Sequence, residues 1–149
     1  MSNNNVTLHR VLTAPPEKVF RAFSDGNALF SWLPPYGFIG KVQHMDFKEK
    51  GTYKGSFINF TTGNEQGFGG KYLEIKTNEF IQYTDKFDDP NLPGEMTVTV
   101  RLKKVSVGTE LHIVHEGIPE AIPAENCYLG WQESLEKLKK LTEADIKDA

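Results

Sequence analysis

The sequence predicts an α+β domain in which a curved antiparallel β-sheet wraps around a long C-terminal helix. A strand-like N-terminal segment is followed by two short helical segments, and residues 40–117 form strands linked by tight turns. The C-terminal segment carries an apolar stripe at helical spacing. Strands joined by hairpins, without intervening helices, pair antiparallel. With 149 residues, the chain has the length of one domain with one sizeable core.

The N-terminal third predicts one strand and two short helices. Residues 6–13 alternate as in a strand with two mixed faces. Pro15 and Pro16 favour a helix start, because the first turn needs no backbone N–H donors. Asp25 can cap a second helix, which the pair Pro34 and Pro35 ends. The apolar positions of the two helices are Val19, Phe20, Phe23, Leu29, Phe30 and Trp32.

The middle of the chain predicts six strands. Turn signals occur at Lys50-Gly51, at Gly63-Asn64, at Asn78-Glu79 and within "VSVGTEL". The glycine-rich segment "GNEQGFGG" lacks the Lys-Ser/Thr pair of a phosphate-binding loop, and it leads into Tyr72 where a dinucleotide fingerprint needs Gly or Ala. We interpret this segment as a flexible hairpin with a bulge.

The C-terminal helix begins near Pro123 and turns an apolar stripe toward the sheet. Gly130 interrupts this helix at a cost of about 1 kcal/mol relative to Ala. Such a glycine allows another backbone to approach, or leaves space beside the helix. The lysine-rich face around residues 137–140 is expected to point into solvent. The stripe consists of Cys127, Trp131, Leu135, Leu138 and either Leu141 or Thr142.

Composition excludes several classes of function. A net charge of -3 gives no electrostatic footprint for nucleic acid or an anionic membrane, and no apolar run approaches the ~20 residues of a membrane span. Cys127 is the only cysteine, so neither an internal disulfide nor a cysteine zinc cage can form. The N-terminus lacks the basic and apolar regions of a signal peptide. We therefore expect a cytoplasmic protein.

Several segments together resemble the START-like superfamily, also called Bet v 1-like or SRPBCC, whose fold is the helix grip. Within it, the chain is similar to the activator of ninety-kilodalton heat-shock protein ATPase homologue family. The matching segments, in order, are "APPEKVFRAFSD", "WLPPYGF", "YLEIKTNEFIQYTDKFDDP", "GTELHIVHEGIP" and "GWQESLEKLKKL". They extend from Leu8 to Leu141, which is nearly the whole chain.

The resemblance implies a cavity between the sheet and the C-terminal helix that holds a hydrophobic or amphipathic small molecule, with no cofactor. On this basis the expected wall residues are Phe23, Trp32, Phe38, Tyr53, Phe57, Tyr83, Val98, Val100, Ile113, Cys127 and Trp131. Asp85 and His115 are the polar candidates inside the cavity. A few polar groups of this kind orient a ligand that apolar walls bind.

Each polar candidate has two interpretations. Asp85 shares a strand face with Ile81, Tyr83 and Phe87, so it is either a buried carboxylate with a functional role or a strand-end residue that reaches solvent or a lysine. His115 is either a hydrogen-bonded core histidine or a ligand anchor. His112 lies three residues from it on a strand, so the two imidazoles point to opposite faces. We therefore expect no metal site.

Three functions remain open at this stage. The first is binding of a small molecule in the cavity. The second is a cyclase, dehydratase or hydrolase that uses Asp85 or His115 as a general base, in which case the two should form a buried pair. The third is a protein-interaction module with a chaperone or homodimer contact. It predicts a collapsed cavity and an exposed apolar patch around Trp32 and Tyr36.

Overall fold

The computed structural model describes residues 4–148 of the chain. The described residues form seven strands and three helices. In chain order these are β1 (Val6–Leu12), α1 (Pro16–Ser24), α2 (Gly26–Trp32), β2 (Phe38–Met45), β3 (Thr52–Asn59), β4 (Glu65–Lys76), β5 (Phe80–Phe87), β6 (Met96–Val105), β7 (Gly108–Glu116) and α3 (Ala124–Glu143).

All seven strands belong to one antiparallel sheet with the order β1-β7-β6-β5-β4-β3-β2. The six strands from β2 to β7 follow one another as hairpins, as the turn signals predicted. β1 pairs with the last strand, so it forms one edge of the sheet, with Leu8 opposite Ile113. Bulges at the β2–β3 and β4–β5 pairs bend the sheet toward α3. The predicted helix-grip fold is confirmed.

The helix starts also follow the sequence signals. Pro15 occupies the N-cap of α1, and Pro16 is its first residue. The Asp25 carboxylate caps α2 by accepting a hydrogen bond from the Ala28 N–H at 3.1 Å. Both helices cover the concave face of the sheet together with α3.

Residues 33–36 connect α2 to the sheet and cross over α3, and we call this segment the strap. Its backbone is held by side chains of the helix. Three hydrogen bonds do this: Ser134 Oγ to Leu33 O (2.6 Å), Lys137 Nζ to Pro34 O (2.8 Å) and Tyr36 N to Glu133 Oε1 (3.1 Å). Lys137 is therefore partly buried against the strap, and the expectation that its whole lysine-rich face points into solvent was wrong.

The glycine-rich segment is mostly strand rather than loop. Only its first residues form the turn, and Glu65 onward belongs to β4. Gly55 of β3 has a packing role, because a Cβ at this position would lie 2.3 Å from the ring of Phe30. The absence of that Cβ lets the aromatic ring of α2 lie directly on the sheet.

No helix within residues 4–148 has both the length and the hydropathy that crossing a membrane requires. The expectation about a signal peptide rests partly on residues 1–3, which lie outside the described range.

Candidate functional site

A cavity of about 290 Å³ lies between the concave face of the sheet, α3 and the strap. Its volume is near the lower end of the range for small-molecule pockets, which is about 300–1,000 Å³. Its walls are mostly aromatic and aliphatic. They consist of Phe23, Leu29, Phe30, Leu33, Pro35, Phe47, Tyr53, Phe57, Phe68, Tyr72, Ile81, Tyr83, Asp85, Phe87, Val98, His115, Ile122, Asn126, Cys127, Gly130, Trp131 and Ser134.

The sheet wall is a continuous layer of aromatic rings. Phe57 contacts Phe68 edge to face with centroids 4.7 Å apart, and Tyr53 meets Tyr83 in the same way at 5.8 Å. Edge-to-face pairs are favourable beyond their buried area, by about 0.5–1.5 kcal/mol each. These rings hold one another in place, so the wall keeps its shape beside the open volume.

Asp85 and Tyr53 form the polar pair of the sheet wall. The Tyr53 hydroxyl lies 2.8 Å from Asp85 Oδ1 and also 2.8 Å from the Thr84 carbonyl oxygen. A hydroxyl has one proton to donate, so it serves one of these acceptors at a time. When Asp85 is ionised, the carboxylate is the stronger acceptor. When Asp85 is protonated, its own proton can go to Tyr53 Oη, while Tyr53 donates to the carbonyl.

Burial raises the pKa of Asp85 to about 7, although the hydrogen bonds from Tyr53 and from the Lys86 backbone act in the opposite direction. Burial also raises the pKa of Tyr53 and Tyr83 well above their usual range, and the nearby Asp85 charge adds to this effect. Both phenols are therefore neutral donors at physiological pH. Asp85 is the group in the cavity that changes its charge near neutrality.

His115 is a neutral residue of β7 whose side chain is hydrogen-bonded to α3. The Trp131 indole N–H donates to His115 Nδ1 at 3.0 Å, so the ring proton belongs on Nε2, which lies 3.1 Å from Met96 Sδ. Burial lowers the pKa of His115 to about 4. Its two ring nitrogens are thus already engaged by α3 and β6, as in a hydrogen-bonded core histidine.

Cys127 lies beside the same imidazole, with Sγ 3.5 Å from His115 Nδ1. Burial and, to a smaller extent, the nearby Asp85 charge raise the pKa of this thiol to about 11. The side chain is therefore a protonated thiol rather than a nucleophile. Cys127 was expected among the wall residues, and it does line the wall, where it contacts His115.

The structure brings together nine of the thirteen residues expected in the site. These are Phe23, Tyr53, Phe57, Tyr83, Asp85, Val98, His115, Cys127 and Trp131. The other four expected residues, Trp32, Phe38, Val100 and Ile113, do not line the cavity.

Trp32 is 1% exposed and points between the two short helices. Its ring meets Phe23 edge to face at 4.9 Å, and its indole N–H donates to the Ala22 carbonyl at 2.9 Å. It therefore fixes α1 to α2 instead of facing a ligand or a partner. Phe38 lines a separate hollow between α2 and β2.

Val100 and Ile113 do face the concave side, as their alternation predicted. They lie directly opposite each other on β6 and β7, the two strands against which α1 also packs. Both side chains are fully buried in the solid part of the core. The cavity begins at the next pair on the same face of the sheet, Val98 and His115.

Several cavity residues were missed. Phe68 and Tyr72 belong to β4, whose glycine-rich part had been interpreted as a hairpin loop. Their even spacing was a usable signal, because it places both rings on one face of a strand. Ile81 and Phe87 had been assigned to the same face as Asp85 but were not included in the site.

The expectation of no metal site had two grounds: that His112 and His115 point to opposite faces, which is confirmed, and that the sequence holds no other cluster of metal ligands. The structure nevertheless gathers another set of candidate ligands on the convex face of the sheet. His9 of β1 and Glu110 and His112 of β7 have ligand atoms within 4.8 Å of one another. The statement that no ligand cluster exists was therefore wrong.

Residues 13–143 match the sequence profile of the family described as Activator of Hsp90 ATPase homolog 1-like protein. The chain belongs to this family. No curated protein matches the chain. A crystal structure of a Chromobacterium violaceum protein is similar to the chain at 54% identity and a TM-score of 0.95, over 97% of this chain and 100% of that one.

More distant solved structures share the fold. A protein named AHSA1 from Silicibacter pomeroyi is 22% identical with a TM-score of 0.79, over 92% of this chain and 96% of that chain. A Staphylococcus epidermidis solution structure is 18% identical with a TM-score of 0.81, over 100% of this chain and 95% of that chain. At these identities the likeness concerns the helix-grip architecture alone.

Proposed function

We propose that this member of the Activator of Hsp90 ATPase homolog 1-like family binds a hydrophobic or amphipathic small molecule in the cavity between the sheet and α3. The observation that carries this proposal is an open volume of about 290 Å³ inside an aromatic wall, beside the Asp85–Tyr53 pair. Removing apolar ligand surface from water contributes about 25 cal/mol per Å². The polar pair then orients the bound molecule.

The polar groups favour a ligand with a hydrogen-bond donor, such as a hydroxyl or an amine, on a compact apolar body. Ionised Asp85 accepts hydrogen bonds, and Tyr53 already fills one of its acceptor positions. A ligand carboxylate would face the Asp85 charge at close range in an apolar surrounding, which is unfavourable. The ligand class we propose is therefore neutral or cationic rather than acidic.

Binding can be tested with N-phenyl-1-naphthylamine, a neutral fluorescent probe with two aromatic groups and one N–H donor. We expect saturable binding at one site, competition by a medium-chain primary alcohol, and weaker competition by the carboxylic acid of the same length. Asp85→Asn should reduce the preference for the alcohol, because Asn does not repel a carboxylate.

A side chain introduced at Gly130 can fill the cavity without replacing any of the side chains that line it. A Cβ at Gly130 would meet Pro35 at 3.9 Å, so there is room for a side chain to start there and extend into the open volume. Gly130→Met should abolish probe binding. Leu129→Met, at the neighbouring exposed position, is the matched control and should bind like the wild type. Equal binding by both variants would refute the cavity as the binding site.

Proton transfer on a bound carbonyl compound is a second candidate function. One observation favours it: the pKa of Asp85, at about 7, suits a general base. His115 fits this role poorly, because its pKa is about 4 and Trp131 occupies Nδ1. The expected Asp–His pair is replaced by separate Asp85–Tyr53 and His115–Trp131 pairs.

Deuterium uptake at the α-carbon of cyclohexanone, followed by NMR, would test this second function. Uptake that exceeds the buffer rate and disappears in Asp85→Asn would support it. Uptake at the buffer rate would remove it and leave binding as the function.

A chaperone-linked interaction module, which the family description suggests, has less support. It required a collapsed cavity and an exposed apolar patch that included Trp32, whereas the cavity is open and Trp32 is buried. Tyr36 does remain exposed. A cytoplasmic location stays part of the proposal, because the single thiol of Cys127 is free.

A further inference from the structure

Three side chains on the convex face of the sheet converge far from the cavity. His9 lies directly opposite His112 in the pairing of β1 with β7, and Glu110 is two residues from His112 on the same face. His9 Nε2 lies 3.1 Å from Glu110 Oε2, and the two imidazole rings have centroids 4.5 Å apart. Their candidate ligand atoms all lie within 4.8 Å of one another.

Two imidazoles and one carboxylate are a donor set that binds zinc and related first-row divalent ions. Tetrahedral zinc with bonds of about 2.0–2.1 Å needs ligand atoms about 3.3 Å apart. The His9–Glu110 distance already has this value to within a few tenths of an ångström. The remaining distances require closure by about 1.5 Å at most, which rotation of side chains at a surface can supply.

The surroundings leave the three ligands accessible. The side chains of His9 and Glu110 are 50% and 30% exposed. On the β6 side, Arg101 lies opposite His112, but its guanidinium is held over the Phe80 ring at 4.8 Å, toward β5. Lys103 lies opposite Glu110 in the pairing of β6 with β7. The Glu110 carboxylate therefore offers a negatively charged ligand beside the imidazoles of His9 and His112.

We propose that His9, Glu110 and His112 form a surface binding site for a divalent transition-metal ion of the zinc class. Such an ion would join β1, which is an edge strand, to β7, its only neighbour in the described sheet. A ligand that binds the folded chain alone raises its stability. Bound metal would therefore fasten β1 to the rest of the sheet.

Isothermal titration of the chelator-treated protein with zinc chloride at neutral pH tests this. We expect one zinc ion per chain. His9→Gln and His112→Gln should each weaken binding by at least about tenfold, the loss that even outer-shell partners of a metal site cause. His44→Gln is the matched control, since His44 lies on β2 at the other edge of the sheet and should leave zinc binding unchanged.

A second measurement on the wild type does not depend on the folding of a variant. Zinc should shift the imidazole NMR signals of His9 and His112 and leave those of His44 and His115 in place. Cys127→Ser should bind zinc as well as the wild type, which separates this site from the interior His115–Cys127 contact. Absence of zinc binding, retention of it in His9→Gln, or its loss in Cys127→Ser would overturn the proposal.

Discussion

Asp85→Asn should raise the free energy of unfolding at high pH, because burial in the cavity disfavours the ionised carboxylate of Asp85. The pKa of Asp85 rises from its ordinary value of 3.8 to about 7 in the folded chain. Each tenfold change in acid strength corresponds to about 1.36 kcal/mol. Ionising this carboxyl therefore costs the folded state on the order of 4 kcal/mol relative to the unfolded chain.

The sign follows from proton binding. Between pH 3.8 and about 7 the folded protein holds a proton that the unfolded chain has released, so this group's contribution to stability falls as pH rises. Asn has the same shape, still accepts a hydrogen bond from Tyr53, and does not titrate. The difference in unfolding free energy between Asp85→Asn and the wild type should therefore grow by about 4 kcal/mol across that window and then stay constant.

His115 makes the comparison with the variant necessary. Its pKa falls from 6.5 to about 4 in the folded chain, so the folded protein holds fewer protons than the unfolded chain between those values. Its contribution to stability rises with pH over that range, opposite to that of Asp85. The two slopes offset each other in the wild type, and only subtracting the two profiles isolates Asp85.

Urea denaturation at a series of pH values, followed by tryptophan fluorescence, measures the profiles. Asp46→Asn is the control, because Asp46 and its Lys48 partner are both exposed and such pairs contribute about 0–1 kcal/mol. If the difference between Asp85→Asn and the wild type is the same at all pH values, Asp85 ionises freely. The cavity would then not exclude water from this carboxyl, and the proposed ligand orientation would fail.

Three further changes test the helix side of the cavity. Gly130→Ala should raise the unfolding free energy by about 1 kcal/mol, since the new methyl meets only Pro35 at 3.9 Å and alanine favours the helix; a lower denaturation midpoint would show that the position cannot take a side chain. Ser134→Ala should cost about 0.5–1.5 kcal/mol in the same assay, because the partly buried Leu33 carbonyl loses its hydrogen bond, and an unchanged midpoint would contradict this role. Trp131→Ala should raise the pKa of His115 from about 4 toward 6.5, measured by NMR titration of the ring protons, because burial lowers this pKa and removing the indole that packs on the imidazole lets water reach it; an unchanged pKa would mean that the ring stays covered without Trp131.

The fold could be predicted because its signals are local. Prolines and Asp25 mark the two short helices, turn residues mark the hairpins, and alternation identifies the inner face of each strand. The same alternation placed Asp85 among the inward residues of β5, where the structure has it. Each of these inferences needs only a few neighbouring residues.

The errors concern where elements meet. Alternation identifies the face of β6 that carries both Val98 and Val100, but it does not say which of the two lines the cavity and which lies in the solid part of the core. The cluster on the convex face depends on residues far apart in sequence, since His9 and Glu110 are separated by 101 positions. Only the pairing of the first strand with the last brings them together, and no short pattern encodes that pairing.

The attachment of the strap has a consequence for how the family can vary. Its three hydrogen bonds to α3 all end on backbone atoms of the strap, at Leu33, Pro34 and Tyr36. Substitutions in the strap can therefore change the side chains that line the cavity without detaching the strap from α3. Substitutions at Glu133, Ser134 or Lys137 each remove one of its hydrogen bonds. We therefore expect family members to differ more in the strap than at these three helix positions, which hold it in place.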